Sequence, residues 1–297
     1  MKFGYLENID GVDFTLPPLK NDFQEQQVVS KNQLKLFIGA PVWSDKNYLG
    51  RLYPQNTKQK DFLFEYSKQF NSIEVNATRY GTPKPHIIQR WYDSVGPEFK
   101  FSLKVPQVIT HRKDINDKMS RQRFDEFLLA VDGLKEKSGM CFAVMANYFK
   151  SDKFDSLVEF IENVPRDLPL AIEFRDQSWF SPSILNHWQE LFVKYNISSV
   201  ITDTPGRRDA AHCRIIGEHL FVRFVGDFSH PSELLRIESW ILSFQRGLQL
   251  GIKNIWFYVH QPGDKRGKVL RFFNSFISQF NKTYHLDYPK LIDYSKK

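Results

Sequence analysis

An α/β fold is predicted by three observations. From Leu36 onward, short apolar runs alternate with amphipathic stretches, and the pair repeats eight times. Eight such units in about 250 residues match the size of a (β/α)₈ barrel. No Gly-x-Gly-x-x-Gly follows the first apolar run, which argues against a doubly wound open sheet. The prediction is a single TIM-like (β/α)₈ barrel over residues 36–281, an N-terminal extension over 1–35 and a C-terminal tail over 282–297.

Each element has its own warrant. Residues before Leu36 are polar and aperiodic, so they are expected to wrap the barrel from outside or to stay partly loose. Strands are predicted at 36–42, 72–77, 100–105, 141–146, 170–175, 198–203, 219–225 and 254–260, each a short apolar run. Helical spacing occupies 58–70, 84–93, 121–137, 152–163, 182–195, 232–249 and 265–280. The connection from Thr204 to Glu218 reads mainly as loop. Strand followed by helix, repeated, requires parallel pairing.

Bulk properties bound the class. The chain has 297 residues, 41% hydrophobic and 25% charged, as in a soluble globular protein. Its 27 Phe support a large core. No apolar run reaches the ~20 residues of a membrane helix, and the N-terminus lacks a basic-then-apolar signal pattern. No membrane association and a cytoplasmic location are expected. Cys141 and Cys213 form no CxxC and read as buried thiols. The net charge of +7 admits anionic partners, either nucleic acid or phosphorylated small molecules, although dispersed surface Lys accounts for much of it. Nothing in the sequence specifies an oligomeric state.

A barrel places function at the C-terminal ends of its strands. Strand side chains alternate between faces, so parity identifies which residues point inward. In the second strand Glu74, Asn76 and Thr78 share one face, while Ile73, Val75 and Ala77 form the apolar, helix-facing one. In the third, Ser102 and Lys104 point inward. The fifth, in the string IEFRDQSWF (172–180), brings Glu173 and Arg175 to one face. The sixth ends at Asp203, the seventh carries Arg223, the eighth ends at His260, and His111 lies just past the third. Trp43, Tyr80 and Trp179 occupy the following loops, as stacking platforms or as core.

Charges crowded into one mouth shift one another's pKa values, as acid/base chemistry requires. Glu74, Lys104, Glu173 and Asp203 are the candidate catalytic residues. Trp43, Asn76, Tyr80, His111, Arg175, Trp179, Arg223 and His260 are the candidate substrate-binding ones. Arg suits a carboxylate or phosphate clamp. Lys104 has two readings, a salt bridge to Glu74 or Glu173 and a Schiff-base lysine. Glu74 with Glu173 also fits a glycosidase pair. With no HxH, HExxH or dense His/Asp cluster, no metal is expected, and with no dinucleotide motif, no cofactor.

Several strings together resemble the YecE-like family, domain of unknown function seventy-two. They are IGAPVW with the following LYP, IEVNATRY (73–80), FKFSLKVPQVITH (99–111), IEFRDQSWF, Asp203 and Arg223…Gly226. The resemblance spans Leu36 to Phe280. It implies a TIM-like barrel with its pocket at the polar strand ends, and no particular reaction. This sequence departs from the family's strings at Pro41-Val42, at Arg79, at MANYF (145–149) and at His260-Gln261.

Three functional readings remain open. The leading one is a hydrolase or lyase acting on a small anionic or polyhydroxylated molecule. Arg175, Arg223 and Lys104 would hold the anion, Glu173 or Glu74 would move the proton, and Asp203 would orient a cation or hydroxyl. The others are a nucleic-acid-binding or nuclease-like barrel using the same cations and aromatics, and a non-catalytic ligand-binding barrel.

Overall fold

The computed structural model describes residues 3–23, 28–226, 230–261 and 268–296. Its strands are β1 (Lys35–Gly39), β2 (Ser72–Val75), β3 (Lys100–Leu103), β4 (Cys141–Val144), β5 (Leu170–Glu173), β6 (Ser198–Asp203), β7 (His219–Val225) and β8 (Asn254–His260). The helices are α1 (Phe62–Ser67), α2 (Pro85–Asp93), α3 (Gln107–Thr110), α4 (Lys118–Gly133), α5 (Phe154–Glu162), α6 (Pro182–Tyr195), α7 (Ser232–Gln249) and α8 (Val269–Tyr284). All eight expected strands are present, and the chain is α/β with parallel pairing throughout the ladders.

The strands form a six-stranded sheet in the order β1-β8-β7-β6-β5-β4 and a two-stranded sheet, β2-β3. The expected continuous eight-stranded ladder is therefore not observed. Isolated contacts join β3 to β4: Gly139 N donates to Phe101 O at 2.9 Å and Val105 N to Phe142 O at 2.8 Å. Between β1 and β2, side chains replace the ladder. Asn71 accepts from Ile38 N at 2.9 Å and donates to Leu36 O at 2.7 Å. Tyr66 Oη accepts from Ala40 N at 2.7 Å and lies 3.1 Å from Ser72 O. A Cβ at Gly39 would fall 2.1 Å from Ser72 O, so only glycine permits the strands to approach this closely.

Parity sorts the interior into two layers. Ile73, Val75, Phe101, Leu103, Ile172, Val222 and Phe257 join the large cluster beneath the helices. Phe142, Val144, Ala171, Val200, Phe221, Trp256 and Tyr258 pack separately on the opposite face. The two sheets share this inner face, because Tyr258 Oη of β8 meets Ser72 of β2 at 2.5 Å and Ser102 of β3 at 2.7 Å.

Element bounds differ from expectation where backbone leaves the ladder. The first five strands end two or three residues early, because the chain turns into polar loops at the strand tips. α3 follows Pro106, and sequence spacing had given no sign of so short a helix. Of the helix expected at 265–280, residues 265–267 lie outside the described residues, and α8 runs on to Tyr284, so the boundary proposed at 282 falls inside it. The N-terminal extension docks on the fold. Leu19 and Val29 are buried, and Lys20 N donates to Cys213 O at 3.0 Å while Ile215 N donates to Lys20 O at 2.9 Å. No helix among the described residues is long and apolar enough to cross a membrane.

Candidate functional site

At the C-terminal ends of the strands lies a cavity of about 670 Å³. Asn76, Arg79, Tyr80, Lys104, Gln107, His111, Asn147, Tyr148, Arg175, Arg223, His260 and Gln261 line it, with Phe3 of the extension. Every charge-bearing side chain among these is a base.

The acids sit one layer beneath. Glu74 is fully buried at the end of β2. Arg223 grips it with two hydrogen bonds, Nε to Oε2 at 2.9 Å and Nη2 to Oε1 at 2.7 Å. Asn76 Nδ2 donates to Oε1 at 2.8 Å and His260 Nε2 lies 2.9 Å from Oε2. A carboxylate can only accept, so Nε2 is the protonated nitrogen of His260. Glu173, at the end of β5, accepts from Arg223 Nη1 and from Arg175 Nε, the latter at 2.8 Å. Arg223 on β7 thus joins acids from both sheets.

The electrostatics follow. Burial raises both carboxyls, but the cations outweigh it. Arg223 and His260 hold Glu74 well below the usual carboxylate range, and Arg223 and Arg175 hold Glu173 at about 2. Both acids remain ionised and have their oxygens occupied. Neither Glu74 nor Glu173, the residues expected to move the proton, lines the cavity.

Lys104 differs from both. Its backbone N–H donates to Val75 O at 3.2 Å and its carbonyl accepts from Thr78 Oγ1 at 2.7 Å, which fixes it just past β3. The side chain is 5% exposed and lines the cavity. Neither expected salt bridge forms: among the described residues Lys104 has no ion-pair partner, since the carboxylates are engaged by Arg223 and Arg175. Burial, then the Arg223 and Arg175 charges, against the opposing pull of Glu173 and Glu74, lower its ammonium to about 7. His111 is pushed down to about 4 by burial and then by Lys104 and Arg175, so its imidazole is neutral at pH 7. Its Nδ1 lies 2.9 Å from Thr110 Oγ1.

Three expected site residues lie elsewhere. Asp203 is buried against Arg208, Arg236 and Trp240, with Trp240 Nε1 donating at 2.9 Å. Val200 of β6 faces the inner layer, so Asp203, three residues on, faces the helices. Trp179 is core: its ring stacks on Phe174 at 4.2 Å and its Nε1 donates to Phe149 O at 2.6 Å. Trp43 packs edge-on against Trp91 at 5.4 Å and does not line the cavity. Tyr80 does line it, on the rim at 81% exposure.

Sequence reasoning missed Arg79, Gln107, Asn147, Tyr148 and Gln261. All but Gln107 fall at the positions that depart from the family pattern, which was the available signal. Gln261 is buried, and neither its Oε1 nor its Nε2 has a partner among the described residues. Among the described residues no group of three or more His, Cys, Asp or Glu could hold a metal ion.

The profile described as "Protein of unknown function DUF72" matches residues 37–285. UPF0759 protein YecE of Escherichia coli (strain K12) is 27% identical over 146 residues, covering 49% of this chain and 50% of that protein. UPF0759 protein YunF of Bacillus subtilis (strain 168) is 26% identical over 152 residues, covering 50% and 53%. The chain spans about half the length of these curated relatives. A DUF72 family protein from Enterococcus faecalis has a similar fold, with a TM-score of 0.66 at 18% identity over 87% of this chain and 98% of that one. Another, from Thermotoga maritima, gives 0.61 at 20% identity over 84% and 99%. With this profile running from within β1 to just past α8, over most of the chain, the chain belongs to the DUF72 family.

Proposed function

We propose that the two sheets work together as a TIM-like barrel. On this reading its cavity binds a small anionic or polyhydroxylated molecule and acts on it by hydrolase- or lyase-type chemistry without a redox cofactor. One observation carries the reading: among the described residues the charged groups of the cavity wall are all basic, while Glu74 and Glu173 are buried behind it and neutralised. Glu74 and Glu173 neutralise Arg223 and draw on Arg175 through its Nε, while Arg175 still lines the cavity beside Lys104 and Arg79, which have no ion-pair partner among the described residues. An anion entering here exchanges water for charge-assisted hydrogen bonds in a partly dry site. Lys104 is the proton carrier, because its ammonium titrates near neutrality at the cavity wall. Asn76, Gln107, Asn147 and Gln261 supply neutral hydrogen-bonding groups suited to hydroxyls.

The test is a thermal-shift series with inorganic phosphate, sulfate, sugar phosphates, small carboxylates and short oligonucleotides. A phosphorylated or carboxylated small molecule at a hundredfold excess over its Kd should stabilise the fold by about 2.7 kcal/mol. Arg175→Ala should weaken that binding tenfold or more while the protein stays folded, because Arg223 still holds Glu173. A shift given by oligonucleotides alone would replace the small-molecule reading with nucleic-acid binding.

A further inference from the structure

We propose that Lys104 forms a Schiff base with the carbonyl carbon of a small anionic aldehyde or ketone. This deepens the reading of the same cavity and rests on it.

The geometry is that of a held nucleophile. The Lys104 backbone is fixed on both sides, by Val75 O and by the Thr78 hydroxyl, so the side chain leaves β3 in a defined direction. It is 95% buried yet reaches the cavity, and no carboxylate among the described residues lies within ion-pair distance of it. A lysine serving only as a structural counter-ion would take one of the two acids beside it. Here Arg223 and Arg175 occupy both of them and leave the amine to the ligand. Burial beside other cations is the environment that makes a lysine amine nucleophilic near neutral pH.

The surrounding groups fit the chemistry. Condensation forms a C–N bond as the carbonyl π pair moves to oxygen. The oxygen then leaves as water carrying both amine protons, and the C=N bond remains. No electrons are gained or lost overall. Protonation of the imine by solvent gives a cationic iminium, which needs a negative neighbour. The substrate's own anionic group, held against Arg175 and Arg79, provides one. Gln261, buried with neither amide atom partnered among the described residues, faces the same space and fits a carbonyl or hydroxyl of the ligand. Neutral His111 lines the wall as a relay for the departing proton.

The test is borohydride trapping. Full-length protein is mixed with pyruvate, glyoxylate or dihydroxyacetone phosphate, reduced with sodium borohydride, and mapped by peptide mass spectrometry. With at least one probe, Lys104 should be alkylated more than tenfold faster than any other lysine, and inorganic phosphate should slow it. The Lys104 rate should rise through about pH 7, reflecting Arg223, Arg175, Glu173, Glu74 and His111 around it, whereas surface lysines accelerate only above pH 9. Lys104→Arg should lose the adduct. If phosphate binds in an Arg175-dependent way but adducts spread over exposed lysines and spare Lys104, the Schiff-base inference falls and the anion pocket stands. If phosphate and the other anions also fail to bind, both readings fall.

Discussion

Arg223 is the side chain on which the two sheets meet. It donates to Glu74 of the two-stranded sheet and to Glu173 of the six-stranded one, and all three are essentially without solvent contact. Arg223→Met should leave Glu74 without its main cation and Glu173 with only Arg175. Removing one partner of such a buried network costs about 3–5 kcal/mol. Chemical denaturation at neutral pH should show that loss, and it should narrow in acid as the stranded carboxyls take up protons. A wild-type midpoint would mean that the network contributes nothing to folding.

Lys104 makes the opposite prediction. Its folded-state value of about 7 lies below the ordinary lysine value of 10.5. Between these values the unfolded chain holds the extra proton, so stability rises with pH across that window. Below about 7 both states are protonated and the full cost of the buried ammonium persists. Lys104→Met should therefore raise the melting temperature more at about pH 6 than at about pH 9. An equal gain at both would show that the amine titrates normally.

Much of this inner ring was legible from strand parity alone. Glu74, Lys104, Glu173, Arg175, Arg223 and His260 all reach the same place because alternate residues share a face. Parity does not reveal layering. That Glu74 and Glu173 lie behind the cations depends on side-chain reach across sheets distant in sequence. Asp203 falls outside the ring because it lies three residues past inward-facing Val200, on the opposite parity.

At the scale of elements, the join between β1 and β2 is the most specific construction. Asn71 and Tyr66 stand in for missing backbone hydrogen bonds, and Gly39 allows the close approach. Tyr66→Phe would leave the Ala40 N–H and the Ser72 carbonyl short of a partner. Buried polar groups left unmade cost about 1–3 kcal/mol each, so urea unfolding should register a loss of that order. A change below half a kcal/mol would mean that water or a neighbour replaces the hydroxyl. The existence of all eight strands was legible from apolar runs. The break between the sheets was not, because Asn71 and Tyr66 look like ordinary loop and helix residues until their partners are known.

At the scale of the whole molecule, the extension is part of the fold. Leu19 is buried in the main core, and Phe14 lies under the guanidiniums of Arg208 and Arg236 at 5.2 and 4.4 Å. Polar, aperiodic sequence concealed this docking, since single apolar anchors carry no period. Leu19→Ala should cost about 2–5 kcal/mol if the segment is packed as seen, measured by thermal or urea unfolding. A loose wrapping would leave stability unchanged.

Phe3 has a practical consequence for anyone preparing the protein. Its ring lies against the guanidiniums of Arg175 and Arg207, at 4.6 and 4.9 Å, and forms part of the cavity wall. A purification tag fused close ahead of it would begin within a few residues of the cavity wall, and a polyhistidine or acidic linker that reached the cavity would compete with the molecules being screened. Ligand searches should therefore use a C-terminal tag or a cleaved N-terminus, and a negative screen on N-terminally tagged material says little about the pocket.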